Sequence, residues 1–135
     1  MASHGMDRRT ISRRGQLTVP ESLESDSIVT VDEPAVWGTH EDGTVAVLSR
    51  TRDVIDTHPE LTVAGTSVPD ATGTVAVPVP VFETVAGIEP RATVVFVSTQ
   101  ALRARGAVAV VSEQQFAGES KPVTSLARLE QVDGS

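Results

Sequence analysis

Gly15-Gln16-Leu17-Thr18-Val19-Pro20 decides how this chain is read, because Gly73-Thr74-Val75-Ala76-Val77-Pro78 repeats its form further on. Each is a glycine, a four-residue strand candidate and a proline. Glycine permits an unusual backbone angle where the strand begins, and proline removes a donor where pairing must stop. Each is followed by a short helix candidate, a β-branched strand and a hairpin. The second copy continues through Gly87-Ile88-Glu89-Pro90 into Thr93-Val94-Val95-Phe96-Val97. A unit of this size cannot bury one face of a sheet alone, whereas two packed together can.

Outward from these segments, helix-period patterns are rare and short β-branched runs are common. Strands are expected near Gln16–Val19, Ser27–Val31, Thr44–Leu48, Leu61–Ala64, Thr74–Val77, Ala92–Ser98 and Ala107–Val111. Glu41-Asp42-Gly43 and Arg105-Gly106 read as hairpin tips, since Asp-Gly and Gly tolerate positive φ. Ser22–Ser25 after Pro20, Pro80–Ala86 before Gly87, and Val123–Leu129 read as short helical turns. The stretch Asp32–Asp42 reads as a loop carrying Trp37, a core plug. The fold class expected is mainly β, a small barrel from two tandem units with one or two short helices. On this reading residues 1–11 are an N-terminal arm, with Met1–Gly5 an added extension ahead of a native start at Met6. Residues 12–49 are the first unit, 50–69 a polar connection and strand, 70–112 the second unit, and 113–135 a flexible acidic tail.

The chain has 135 residues and a formal net charge of −7. Lys121 is its only lysine, and Trp37, Phe82, Phe96 and Phe116 are its only aromatics. Acidic, lysine-poor composition is what a protein in a high-salt cytoplasm needs to keep its surface hydrated. Net acidity argues against generic nucleic-acid binding, which relies on basic patches. In molar salt, where screening acts over about 3 Å, local contacts matter more than overall charge. With no cysteine, thiol catalysis, disulfides and cysteine zinc sites are excluded. No run approaches the roughly 20 apolar residues of a membrane span, and no secretory leader is visible, so a cytoplasmic location is expected. His4, His40 and His58 lack metal-ligand spacing. No nucleophile elbow, P-loop or dinucleotide fingerprint is present. The carboxylate pairs Glu24/Asp26, Asp32/Glu33 and Glu41/Asp42 read as hydration charges. No enzyme activity, cofactor or metal is expected.

Arg14-Gly15-Gln16-Leu17-Thr18-Val19-Pro20 resembles the opening signature of the AbrB/MazE/SpoVT swapped-hairpin domains, roughly (K/R)-G-Q-(V/I/L)-T-(I/V)-P. Pro78, then Gly87-Ile88-Glu89-Pro90, then Val94-Val95-Phe96 is similar to the family's order of proline, short helix, Gly-Leu-x-Pro-Gly and strand. The resemblance covers about Ser12–Ser49 and Asp70–Ser112. It implies a fused pseudo-dimer of haloarchaeal type, whose hairpins interleave either within one chain or between two chains. It also implies DNA binding as a transcriptional regulator, with Arg14 on the DNA, joined by Arg13 and by Arg8 and Arg9 upstream.

These four arginines are the one concentration of positive charge. Arginine forks onto phosphate or guanine, and Gln16 and Thr18 add base-edge or phosphate hydrogen bonds. The candidate site is therefore Arg8, Arg9, Arg13, Arg14, Gln16 and Thr18, and the expected partner is operator or promoter DNA. Thr72 stands where the first signature has Arg14, and Asp70 lies just before it, so the basic patch is one-sided. Homodimerisation of the whole chain would restore symmetry. Arg103 and Arg105, near the second hairpin tip, would extend the patch or remain loop charges. The rival reading is an antitoxin-like or adaptor module that binds a protein and not DNA.

Overall fold

The computed structural model describes residues 5–21, 29–98 and 100–114. They form β1 (Gly5–Thr10), β2 (Gln16–Thr18), β3 (Ala35–His40), β4 (Ala46–Ser49), α1 (Asp53–Thr57), β5 (Leu61–Ser67), β6 (Thr74–Ala76), α2 (Val79–Thr84), β7 (Thr93–Ser98), α3 (Gln100–Ala104) and β8 (Ala107–Ser112). The fold is mainly β, with antiparallel sheets and three short helices among the described residues. No described helix is long and apolar enough to cross a membrane.

Six strands make one sheet in the order β1-β7-β8-β4-β3-β5, and β2 and β6 make a separate two-stranded ribbon. Every pairing is antiparallel. Exchanging β1 with β5, β2 with β6, β3 with β7 and β4 with β8 returns the same sheet order read backwards. Under that exchange β1 on β7 becomes β5 on β3, so each half of the chain lends its first strand to the other half. The ribbon register is its own image: Leu17 pairs with Val75, Gln16 with Ala76 and Thr18 with Thr74.

The small closed barrel is not what these strands form. β1 and β5 are open edges of the large sheet among the described residues. The sheet is instead covered on both faces. Trp37, Leu48, Phe96 and Val110 pack against Leu17 and Val75 of the ribbon and Val81 of α2. Their strand neighbours Val36, Val47, Val97 and Val111 face the other way, against Val54 and Ile55 of α1 and Leu102 of α3. Successive strand side chains point to opposite faces, so a sheet covered twice reads as a continuous apolar run. That is why every residue of β3, β4 and β8 is buried.

Several expectations are corrected by this double cover. The Asp32–Asp42 stretch is not a loop, because β3 occupies Ala35–His40. Gly38 sits within that strand because Ile55 lies over it: a Cβ there would be 2.9 Å from Ile55 Cγ1. The Arg50–Pro59 connection holds α1, whose Val54 and Ile55 are buried. A helix, α3, stands between β7 and the Arg105-Gly106 turn. Gly5–Thr10, placed in the N-terminal arm, is an edge strand on β7. Of the expected Ser27–Val31 strand, the described residues 29–31 are not in a strand. Ser22–Ser25, Val123–Leu129 and the tail from 115 onward lie outside the described residues.

Candidate nucleic-acid interface

The ribbon's two strands leave two turns of the same shape. In the first, Gly15 N donates to Ser12 O at 2.9 Å and Ser12 N to Gln16 O at 2.8 Å. In the second, Gly73 N donates to Asp70 O at 2.9 Å and Asp70 N to Thr74 O at 3.1 Å. Gly15 and Gly73 hold φ of 80° and 79°, a conformation that favours glycine. Each turn also receives the opposite strand: Val77 N donates to Gly15 O at 2.9 Å and Val19 N to Gly73 O at 3.0 Å.

Side chains hold the turns alike. Ser12 Oγ accepts from Arg14 N at 3.2 Å and Gln16 N at 3.1 Å. Asp70 Oδ1 accepts from the equivalent pair, Thr72 N at 2.9 Å and Thr74 N at 3.0 Å. The Thr72 hydroxyl adds a third donor at 2.6 Å. That hydroxyl, then the backbone N–H groups of Thr74 and Thr72, hold the Asp70 carboxyl below the usual aspartate range.

Four of the six expected site residues come together here. Arg13 and Arg14 are exposed on the first turn, and Gln16 and Thr18 are exposed on the ribbon while Leu17 between them is buried. Neither Arg13 nor Arg14 pairs with a carboxylate among the described residues. Arg8 and Arg9 sit further back, on β1. The Arg8 guanidinium pairs with Glu113, and Arg9 Nη1 donates to the Arg8 carbonyl at 2.8 Å. Arg103 lies in the last turn of α3 and Arg105 just after it, on the sheet face opposite the ribbon, so neither extends this surface.

The Thr18 hydroxyl has a fixed role. Thr18, Thr74 and Thr72 hydroxyls link at 2.9 Å and 3.0 Å. A carboxylate only accepts, so Thr72 spends its proton on Asp70, Thr74 on Thr72, and Thr18 on Thr74. Thr18 therefore offers lone pairs outward. It suits an amino group on a base edge and not a phosphate oxygen.

The sequence marks Arg91, after Glu89-Pro90, as a turn residue, which it is, but not as a neighbour of the first turn. Arg91 is exposed, and its N–H donates to Ile11 O at 2.8 Å, which brings its backbone beside the first turn. Nothing local signals this, since the contact joins residues far apart in the chain. His40 and His58 are core residues: His40 Nδ1 accepts from Asp42 N at 3.2 Å, and His58 Nδ1 lies 2.7 Å from Val54 O. A shallow cleft of about 250 Å³ beside Thr93 holds Glu89 and Glu113, the latter bound to Arg8. Comparison of the chain with protein-family models, curated proteins and solved structures returns no match.

Proposed function

We propose that the chain is a DNA-binding transcriptional regulator of AbrB-like type that meets DNA mainly through its first unit. The observation that carries this reading is the Arg13–Arg14 turn, with two exposed guanidinium groups unpaired among the described residues, beside the outward face of Gln16 and Thr18. Arginine binds phosphate or guanine in a two-pronged fork, and glutamine does the same for adenine. Thr18 accepts from an exocyclic amino group. Arg8 and Arg9, held on β1, act as supporting charge. The interleaved strand order supports the swapped-hairpin reading of two tandem units, with an open sheet in place of the family's barrel. Such a regulator works in the cytoplasm.

The test is an amide NMR titration of the protein, at host-like salt, with a duplex from upstream of its own reading frame and with a scrambled duplex. Shifts centred on Arg8–Thr18 and on Arg91 beside them, stronger with the upstream duplex and lost in Arg13→Ala/Arg14→Ala, are expected. Unchanged binding by that variant would remove the site. A second reading, a protein-interaction module without DNA contact, is favoured by the carboxylates Asp32, Glu33 and Asp70 around the second turn. An absence of shifts with either duplex would select it.

A further inference from the structure

The ribbon ends have one shape and opposite charge. Beside the first turn, Arg91 N donates to Ile11 O at 2.8 Å; beside the second, Asp32 N donates to Pro69 O at 3.0 Å. Arg91 and Asp32 hold φ of 74° and 69°, the two non-glycine residues with positive φ among those described. Each stands in an equivalent turn, closed by Ala92 N to Glu89 O at 3.0 Å and Glu33 N to Thr30 O at 3.1 Å. The first end thus carries Arg13, Arg14 and Arg91, with Glu89 beside Arg91 and Glu83 next to the Phe82 ring that lies over Gly15. The equivalent positions of the second end carry Ala71, Thr72 and Asp32, with Asp70 in place of Ser12 and Glu33 in place of Ala92. Glu21 adds a further carboxylate there, two residues past Val19, whose N–H binds Gly73.

We infer that one chain engages one duplex through the Ser12–Gly15 end of the ribbon alone, the equivalent Asp70–Gly73 end being held off by its carboxylates, so that the DNA site needs no two-fold symmetry. The inference rests on the DNA-binding reading above and says how that binding is oriented. Three strand residues separate the ends by roughly 10 Å, a span comparable to a major groove about 12 Å wide. A ribbon with two basic ends would straddle that groove. Here the second end meets phosphate with like charge, and the duplex settles on the first.

The fold itself supplies the test, because each change needed to convert the second end is already tolerated at the first. The converted chain is Asp32→Arg, Asp70→Ser, Ala71→Arg and Thr72→Arg. Serine at 12 makes the turn's two hydrogen bonds, and arginine at 91 holds the positive φ. Binding to a labelled mixed-sequence 30-base-pair duplex is followed by fluorescence anisotropy across salt concentrations at which the fold is intact. Each neutralised phosphate adds about −0.9 to the slope of log K against log salt. Replacing Arg13, Arg14 and Arg91 by alanine should flatten the slope by up to about 2.7, and the converted chain should steepen it by a similar amount. Ala71→Arg/Thr72→Arg alone, which leaves Asp70 and Asp32 in place, should steepen it by up to about 1.8 and serves if the fourfold variant does not fold. A converted chain with the parent's slope, where the alanine variant has flattened, overturns the one-ended arrangement and leaves DNA binding standing. No binding by the parent, or no effect of the alanine changes, overturns both.

Discussion

Trp37 Nε1 donates to Ser67 Oγ at 3.0 Å, and the Ser67 hydroxyl donates in turn to the Ala76 carbonyl. One buried serine thus ties β3, next to the sheet edge, to the edge strand β5 and to the ribbon that carries the proposed DNA-binding face. Trp37 is fully buried, so its N–H has no water to fall back on.

Ser67→Ala should therefore destabilise the protein by about 1–3 kcal/mol, because it orphans a buried indole donor and a carbonyl acceptor together. Trp37→Phe removes the donor itself and shrinks the side chain. In urea unfolding, the double variant should lose less than the sum of the two single losses, since both break the same bond. Additive losses would mean that the bond contributes nothing of its own.

Gly38→Ala places a methyl 2.9 Å from Ile55 Cγ1 and 3.0 Å from Ile55 Cδ1. Overpacking of this kind costs about 1–3 kcal/mol. Shortening the opposing side chain should recover part of the loss, so Gly38→Ala/Ile55→Ala should be more stable than the two single effects predict. Denaturant midpoints of the four proteins decide it.

The Asp70 carboxyl should titrate below an ordinary aspartate, whose value is about 3.9, because three donors favour its charged form. Its contribution to stability is present above the unfolded value and is lost as pH falls through the lower folded value. Thr72→Val removes the largest cause, the hydroxyl bond, and should move the midpoint back toward the ordinary value. Side-chain carboxyl NMR shifts against pH give both midpoints, and equal midpoints in parent and variant would contradict the assigned cause.

At a net charge of −7 the folded chain repels itself in dilute buffer. Thermal unfolding midpoints should rise from low to multimolar KCl as screening shortens. A flat or falling series would remove the reading of the composition as a high-salt adaptation.

The features legible from residue order are local ones. Gly15 and Gly73 marked the positive-φ turns, the following residues marked β2 and β6, and the apolar runs at 93–97 and 107–111 marked β7 and β8. Pro80 in the first turn and Gly87 beyond the end marked α2. The Arg13–Arg14 pair and the alternation of Gln16, Leu17 and Thr18 were legible as an exposed basic turn on a half-buried strand. These features depend on φ preference and on period-two patterning, which act within a few residues. Tertiary structure decided everything that depends on cover and on long-range pairing. Ala35–His40 became a strand because α1 and the ribbon enclose both of its faces, which erases the alternation and turns Gly38 from a breaker into a fit for Ile55. In place of the expected barrel stands an open sheet, one face covered by the ribbon and α2 and the other by α1 and α3. Arg91 joined the basic turn, and Asp32 its acidic counterpart, only because antiparallel pairing brings residues far apart in sequence into hydrogen-bond contact.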